Sequence, residues 1–82
     1  MEQIQEGYAV FIHDGAKAFG AVREVLRHAI MVYVENAGDF EVPLQAVKDV
    51  HDEKVVLDPA SLPPRLMDAI ARAHVGEDAR IP

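Results

Sequence analysis

The chain of 82 residues is long enough for one small domain, and we expect a single domain over residues 1–82. Fourteen Asp and Glu outnumber eight Lys and Arg and give a net charge of −6, which disfavours binding to the phosphates of nucleic acids. The absence of cysteine excludes disulfides, thiolate zinc sites and thiol catalysis. The sequence shows neither a signal peptide nor an apolar stretch of membrane-spanning length, so we expect a cytoplasmic protein with no membrane role.

Residues 7–58 follow the pattern of short β-strands separated by turns. Asp14-Gly15 predicts the first turn, and residues 36–39, which include an asparagine and a glycine, predict another. Six segments between such turns are rich in β-forming residues: 8–13, 18–26, 29–35, 40–42, 47–50 and 54–57. Six strands at this close spacing predict a small closed six-stranded β-barrel.

The second predicted strand needs an irregularity. Val22 and Val25 are both expected to face inward, although residues three apart on a regular strand face opposite sides, so a β-bulge is predicted between them. Gly20 lies just before them, where a close approach of two backbones is easiest. Pro43 is expected to end its strand or to place it at a sheet edge.

The carboxyl-terminal part changes to a helical period. Apolar side chains share one helical face from Leu66 to Ala73, so one α-helix packed on the barrel is predicted over residues 62–75, with Ser61 as its N-cap. Gly76 is expected to stop this helix, and residues 76–82 are expected to form a frayed tail.

The third strand is apolar on both sides, which is unusual for a strand of a small barrel with a wet exterior. One side carries Ile30, Val32 and Val34, and the other carries Met31 and Tyr33. The outer side of this strand therefore needs a cover. The carboxyl-terminal helix is the nearest candidate, and a second copy of the chain, which would make a homodimer, is the alternative.

No pattern of catalytic or metal-binding residues stands out. None of the four histidines is paired at a spacing typical of a local metal site, and the acidic pairs Asp39/Glu41 and Asp52/Glu53 are expected to be solvated at hairpin tips. The single serine, Ser61, is not in a nucleophile elbow, and no phosphate-binding glycine loop is present. We therefore assign no catalytic, cofactor-binding or metal-binding residue and do not expect an enzyme.

A basic region near an exposed apolar strand is the best candidate for binding. Most aromatic side chains are expected in the core rather than on a base-stacking platform, because few basic residues lie between them. The candidate interaction surface consists of three basic and two large side chains: Lys17, Arg23, Arg27, Met31 and Tyr33.

The order of these motifs resembles a known family. Residues 6–10 read Glu-Gly-Tyr-Ala-Val, and residues 14–25 carry Asp-Gly, four variable residues, and then Gly-x-Val-x-x-Val. A strand at 30–34 is followed at 40–50 by Phe-Glu-Val-Pro-x-x-Ala-Val-x-x-Val, and the last strand ends at 57–58 with Leu-Asp. This series is similar to the PRC-barrel family, which includes the carboxyl-terminal barrel of the ribosome-maturation factor RimM, the cytoplasmic domain of the reaction-centre H subunit, and stand-alone bacterial proteins.

The resemblance implies a small barrel that serves as a docking or assembly module without catalytic residues or a cofactor. We therefore expect a non-enzymatic, stand-alone bacterial interaction protein with a protein partner. One alternative is a ribosome-assembly or RNA-associated factor that binds through Lys17, Arg23 and Arg27. The other alternative is a small-molecule or metal sensor that uses the mouth of the barrel.

Overall fold

A computed structural model describes residues 3–13 and 15–78. Its secondary structure is mainly β, with one α-helix at the carboxyl-terminal end. In chain order the elements are β1 (Ala9–Phe11), β2 (Gly20–Val25), β3 (Ala29–Val34), β4 (Gly38–Pro43), β5 (Val47–His51), β6 (Lys54–Leu57) and α1 (Pro64–Asp78). Short 3-10 helices at Leu44–Ala46 and Pro59–Ser61 link β4 to β5 and β6 to α1.

The six strands form one curled sheet in the order β4-β3-β2-β1-β6-β5. Neighbouring strands are antiparallel except β1 and β6, which are parallel. The predicted closed barrel is not found, because β4 and β5 remain the two edges of the described sheet and the sheet is an open half-barrel. The sheet stays open because α1 packs on its concave side and buries the inner apolar side chains. In a closed barrel the opposite strands would bury these side chains instead.

The helix packs against the concave, inner face of the sheet. Leu66, Ala69 and Ile70 are buried in the same cluster as the inner residues of β3, which are Ile30, Val32 and Val34. The expectation that α1 covers the outer side of β3 is therefore wrong. The inner residues are the more strongly apolar set, and burying them against α1 removes more apolar surface from water than covering the outer side would.

The predicted irregularity in β2 is confirmed. The register with β3 shifts between Val22, which faces Val32, and Glu24, which faces Met31, so Arg23 is the extra residue of a β-bulge. The close approach at Gly20 is also confirmed, because a Cβ atom built there would lie 2.0 Å from the carbonyl oxygen of Tyr33. Side chains larger than hydrogen are thus excluded at this point of the β2–β3 ladder.

The bounds of the helix differ from the prediction. The helix begins at Pro64 and continues through Gly76 to Asp78, because a glycine ends a helix only where it adopts a left-handed cap. Residues 79–82 of the expected tail lie outside the described residues. Ser61 is not the N-cap of α1 but ends the preceding 3-10 helix, and its hydroxyl donates to Asp58, 3.2 Å away.

Candidate interaction surface

Four large apolar side chains of the described residues are exposed. They are Val25, Leu26, Tyr33 and Leu44, each with 36–42% of its surface exposed. All four belong to β2 and β3 or to segments that adjoin β3 and β4. The backbone amide of Leu26 donates to the carbonyl of Ala29, and that of Leu44 donates to the carbonyl of His28, so three of the four gather near the β2–β3 turn. Tyr33 lies towards the other end of β3 and faces outward, whereas Val25 is the cross-strand partner of the inward-facing Ile30, so the four side chains do not share one face of the sheet.

The outward side chains of β3 form the centre of this side, and we call Ala29, Met31 and Tyr33 the outer stripe. They alternate with the inner residues of the same strand because successive side chains of a strand point to opposite faces. Ala29 is buried, Met31 is half-buried and Tyr33 is 42% exposed. The outer stripe therefore becomes more accessible from the β2–β3 turn towards the β3–β4 turn.

Acidic side chains flank the outer stripe on both neighbouring strands. The cross-strand partners of Met31 are Glu24 on β2 and Glu41 on β4, and the partner of Tyr33 on β4 is Asp39. Glu24 and Glu41 are exposed, and the side chain of neither forms an ion pair or hydrogen bond with another described residue. The two carboxylates thus stand unpaired on either side of one thioether side chain.

One arginine reaches across the outer stripe. Arg23 at the β2 bulge places its Nε atom 3.2 Å from Oδ2 of Asp39 on β4, so its side chain spans β3. The side chains are 63% and 40% exposed, respectively, and an ion pair this exposed contributes about 0–1 kcal/mol. The pair can therefore open at little cost when another cation competes for Asp39.

The structure separates the three basic residues of the predicted surface. Arg23 lies beside the outer stripe with Met31 and Tyr33, whereas Arg27 lies in the β2–β3 turn at one end of β2. Lys17 precedes β2 and lies beyond its other end. The candidate residues therefore do not form one basic patch, and Arg23 is already paired with a carboxylate.

Sequence reasoning did not identify the flanking acids as part of this surface. Asp39 and Glu41 lie within β4 and not at a hairpin tip, so the predicted place is wrong, whereas both side chains are exposed, as the sequence predicts. The strand had been predicted as residues 40–42 and extends over Gly38–Pro43. The alternation of Phe40 and Val42 with Asp39 and Glu41 was the signal that could have found them.

The remaining polar groups do not assemble into a second site. In the part of the chain that the structure describes, no three His, Asp or Glu side chains are arranged to hold a metal ion. His51 Nδ1 lies 2.8 Å from Asp49 Oδ2 on β5, and this pair faces outward beside Lys54 of β6. None of the helices within residues 3–13 and 15–78 is long and apolar enough to cross a membrane.

Comparison with protein-family models, with curated proteins and with solved structures found no match to this chain. The class that the structure itself defines is a small, mainly β domain with a curled six-stranded sheet and one helix.

Proposed function

We propose that this chain is a non-enzymatic protein-interaction or assembly module of the PRC-barrel type, acting in the bacterial cytoplasm. The order of motifs over residues 6–58 supports the family. The observation that supports the binding role is the outer stripe, an apolar sheet face that α1 leaves uncovered because it packs on the opposite face. A partner that covers Met31 and Tyr33 would remove their apolar surface from water.

The proposal is tested by capture of partners on the immobilised full-length chain. The lysate comes from cells that express the chain, and recovery is quantified by mass spectrometry. We expect a protein that is enriched on the wild type and reduced at least tenfold on a variant with Met31→Ser and Tyr33→Ser. The matched control is Lys48→Ser, which changes an exposed residue of β5 away from the outer stripe.

Two further measurements make the result decisive. Thermal melting must show that the double variant remains folded, which we expect because both side chains are at least partly exposed. Equal recovery on the folded double variant and on the wild type would contradict the proposal. Loss of the captured protein after nuclease treatment, or a steep fall in its recovery with added salt, would favour the RNA-associated alternative.

A further inference from the structure

We propose that the partner presents a basic amphipathic helix, which lies along β3 on the outer stripe. This inference rests on the proposed function, because it names the occupant of the same surface. Three features of the surface carry it: the placement of the unpaired acids, the dimensions of the stripe, and the arginine that already binds there.

The charges favour a partner with cations on both sides of an apolar centre. Glu24 and Glu41 flank Met31 in one cross-strand row, and their carboxylates have no ion-pair or hydrogen-bond partner among the described residues. Asp39 adds a third carboxylate beside Tyr33, and it forms an ion pair with the exposed Arg23. Lysine or arginine side chains on the two flanks of a partner would pair with these acids, while its apolar side chains contacted Met31 and Tyr33.

The dimensions match one helix. Strands in a sheet are about 4.8 Å apart, so backbone positions on β2 and β4 lie roughly 10 Å from each other across β3. A helix with its side chains is about 10–12 Å wide, so a helix above β3 would place its flanking residues over Glu24 and Glu41. A strand added to the sheet on this side would have to pair with the edge strand β4, because β2 already has a neighbour on both sides. It would lie beside the acids of β4 and would not reach Glu24.

Arg23 shows what kind of group this surface binds. Its guanidinium group reaches over β3 and contacts Asp39, in the position where a cation of the partner would be placed. Arg23 therefore competes with the partner, and its removal would free Asp39 and reduce the positive charge that repels a basic ligand. Removal of Arg23 would instead weaken the binding of a nucleic acid, because the phosphates would pair with this arginine.

The same charges disfavour a second copy of the chain as the occupant. Two copies of this surface, related by a twofold axis, would bring the acidic flanks of one copy towards those of the other. Like charges placed opposite each other at an interface weaken association. A basic partner avoids this repulsion.

The experiment measures the binding of a designed peptide to the full-length chain by fluorescence anisotropy. The peptide carries leucines at i, i+3, i+4 and i+7, with lysines on both flanks of this stripe. The control peptides are one with glutamates in place of the lysines and one with the same composition in scrambled order. We expect the lysine peptide to bind and both control peptides to bind at least tenfold more weakly.

Variants of the chain locate the site. Glu24→Gln combined with Glu41→Gln should weaken binding of the lysine peptide about fivefold, as expected for the loss of two exposed charge pairs. The matched control, Glu53→Gln with Asp68→Asn, removes the same charge from exposed positions outside this surface and should leave the affinity unchanged. Arg23→Ala should tighten binding about two- to threefold.

The outcomes separate this inference from the proposed function. Equal binding of the lysine and glutamate peptides, equal effects of the two double variants, or weaker binding by Arg23→Ala would each overturn the basic-helix inference. Tighter binding of a single-stranded oligonucleotide than of the lysine peptide would overturn it in favour of nucleic acid. If lysate capture depends on Met31 and Tyr33 but the lysine peptide does not bind, the interaction module stands and only the basic helix is rejected.

Discussion

The two faces of β3 carry similar side chains but meet different surroundings. Ile30, Val32 and Val34 on the inner face are fully buried, in one cluster with the apolar residues of α1. Met31 and Tyr33 on the outer face remain partly exposed, and their cross-strand partners are three exposed acids and Ala21. The one α-helix of the described residues packs on the concave face. A strand that is apolar on both sides is therefore not always buried on both sides within its own chain.

The largest expected effect disturbs both faces of β3 at once. Gly20→Ala would place a Cβ atom 2.0 Å from the carbonyl oxygen of Tyr33, and this atom belongs to the backbone and cannot turn away. β2 and β3 would have to separate, which disrupts the ladder that holds both faces. We expect a loss of unfolding free energy on the order of 3 kcal/mol or more, measured by urea denaturation.

The matched control for this change is Gly38→Ala. A Cβ atom at Gly38 meets no atom within 4 Å, but the residue has φ of +95°. At Gly38 an alanine therefore meets no steric clash and incurs only the energetic penalty of a positive φ, so we expect the free energy of unfolding to fall by about 1–2 kcal/mol. If Gly38→Ala were as destabilising as Gly20→Ala, the close contact with Tyr33 would not be the cause.

The second prediction compares the inner and outer faces directly. Leu66→Ala removes a buried side chain of α1 from the concave core and should cost about 2–5 kcal/mol. Tyr33→Ser removes a side chain that is 42% exposed on the outer stripe and should cost less than about 1 kcal/mol. Urea unfolding followed by far-ultraviolet circular dichroism measures both values.

The order of these two effects decides where the helix packs. If Tyr33→Ser destabilised the isolated chain more than Leu66→Ala, the outer stripe would be covered within the chain itself. It would then be unavailable to a partner, and the docking proposal would lose its basis.

Local signals in the sequence were enough to place most of the strands. Lys54–Leu57 was predicted with its observed bounds. The bulge before Val25 followed from the alternation of side chains along a strand, and the close approach at Gly20 followed from the small size of glycine. Pro43 was correctly expected at the end of an edge strand. These features depend on residues that are near one another in the chain, and short-range sterics determine them.

The long-range arrangement could not be read in the same way. The alternation of side chains in β3 does not predict which of its two apolar faces the helix covers. The turn residues do not predict whether β4 and β5 pair with each other. Both outcomes depend on how much surface α1 buries on the concave side. The alternation within β4 places Asp39 and Glu41 on one face, but only the register of three strands brings them beside Met31 and Glu24.

The smallest predicted effect concerns a turn that contacts neither face of β3. Asp52 and Glu53 form the two-residue loop between β5 and β6, and both have positive φ, of +51° and +61°. Glycine is the residue that such hairpin loops prefer at the second position, because it lacks the steric penalty of a Cβ atom. That penalty is about 1–2 kcal/mol and the entropic cost of glycine is roughly 0.5–1 kcal/mol, so Glu53→Gly should stabilise the fold by about 0.5 kcal/mol.

Thermal melting measures this gain as an increase in Tm of about 2–4 °C for a domain of this size. Glu53→Ala is the matched control, since it removes the same charge but keeps the Cβ atom, and it should give no comparable increase. An equal increase with both variants would assign the effect to charge rather than to backbone strain. The carbonyl of Glu53 accepts a hydrogen bond from the amide of Ala9, 3.3 Å away, and this backbone contact is available to either variant. Because the turn lies away from the outer stripe, Glu53→Gly should raise the stability of the fold and leave the affinity for the lysine peptide unchanged. This result would show that the stability of the sheet and the binding role of its outer face are separate properties.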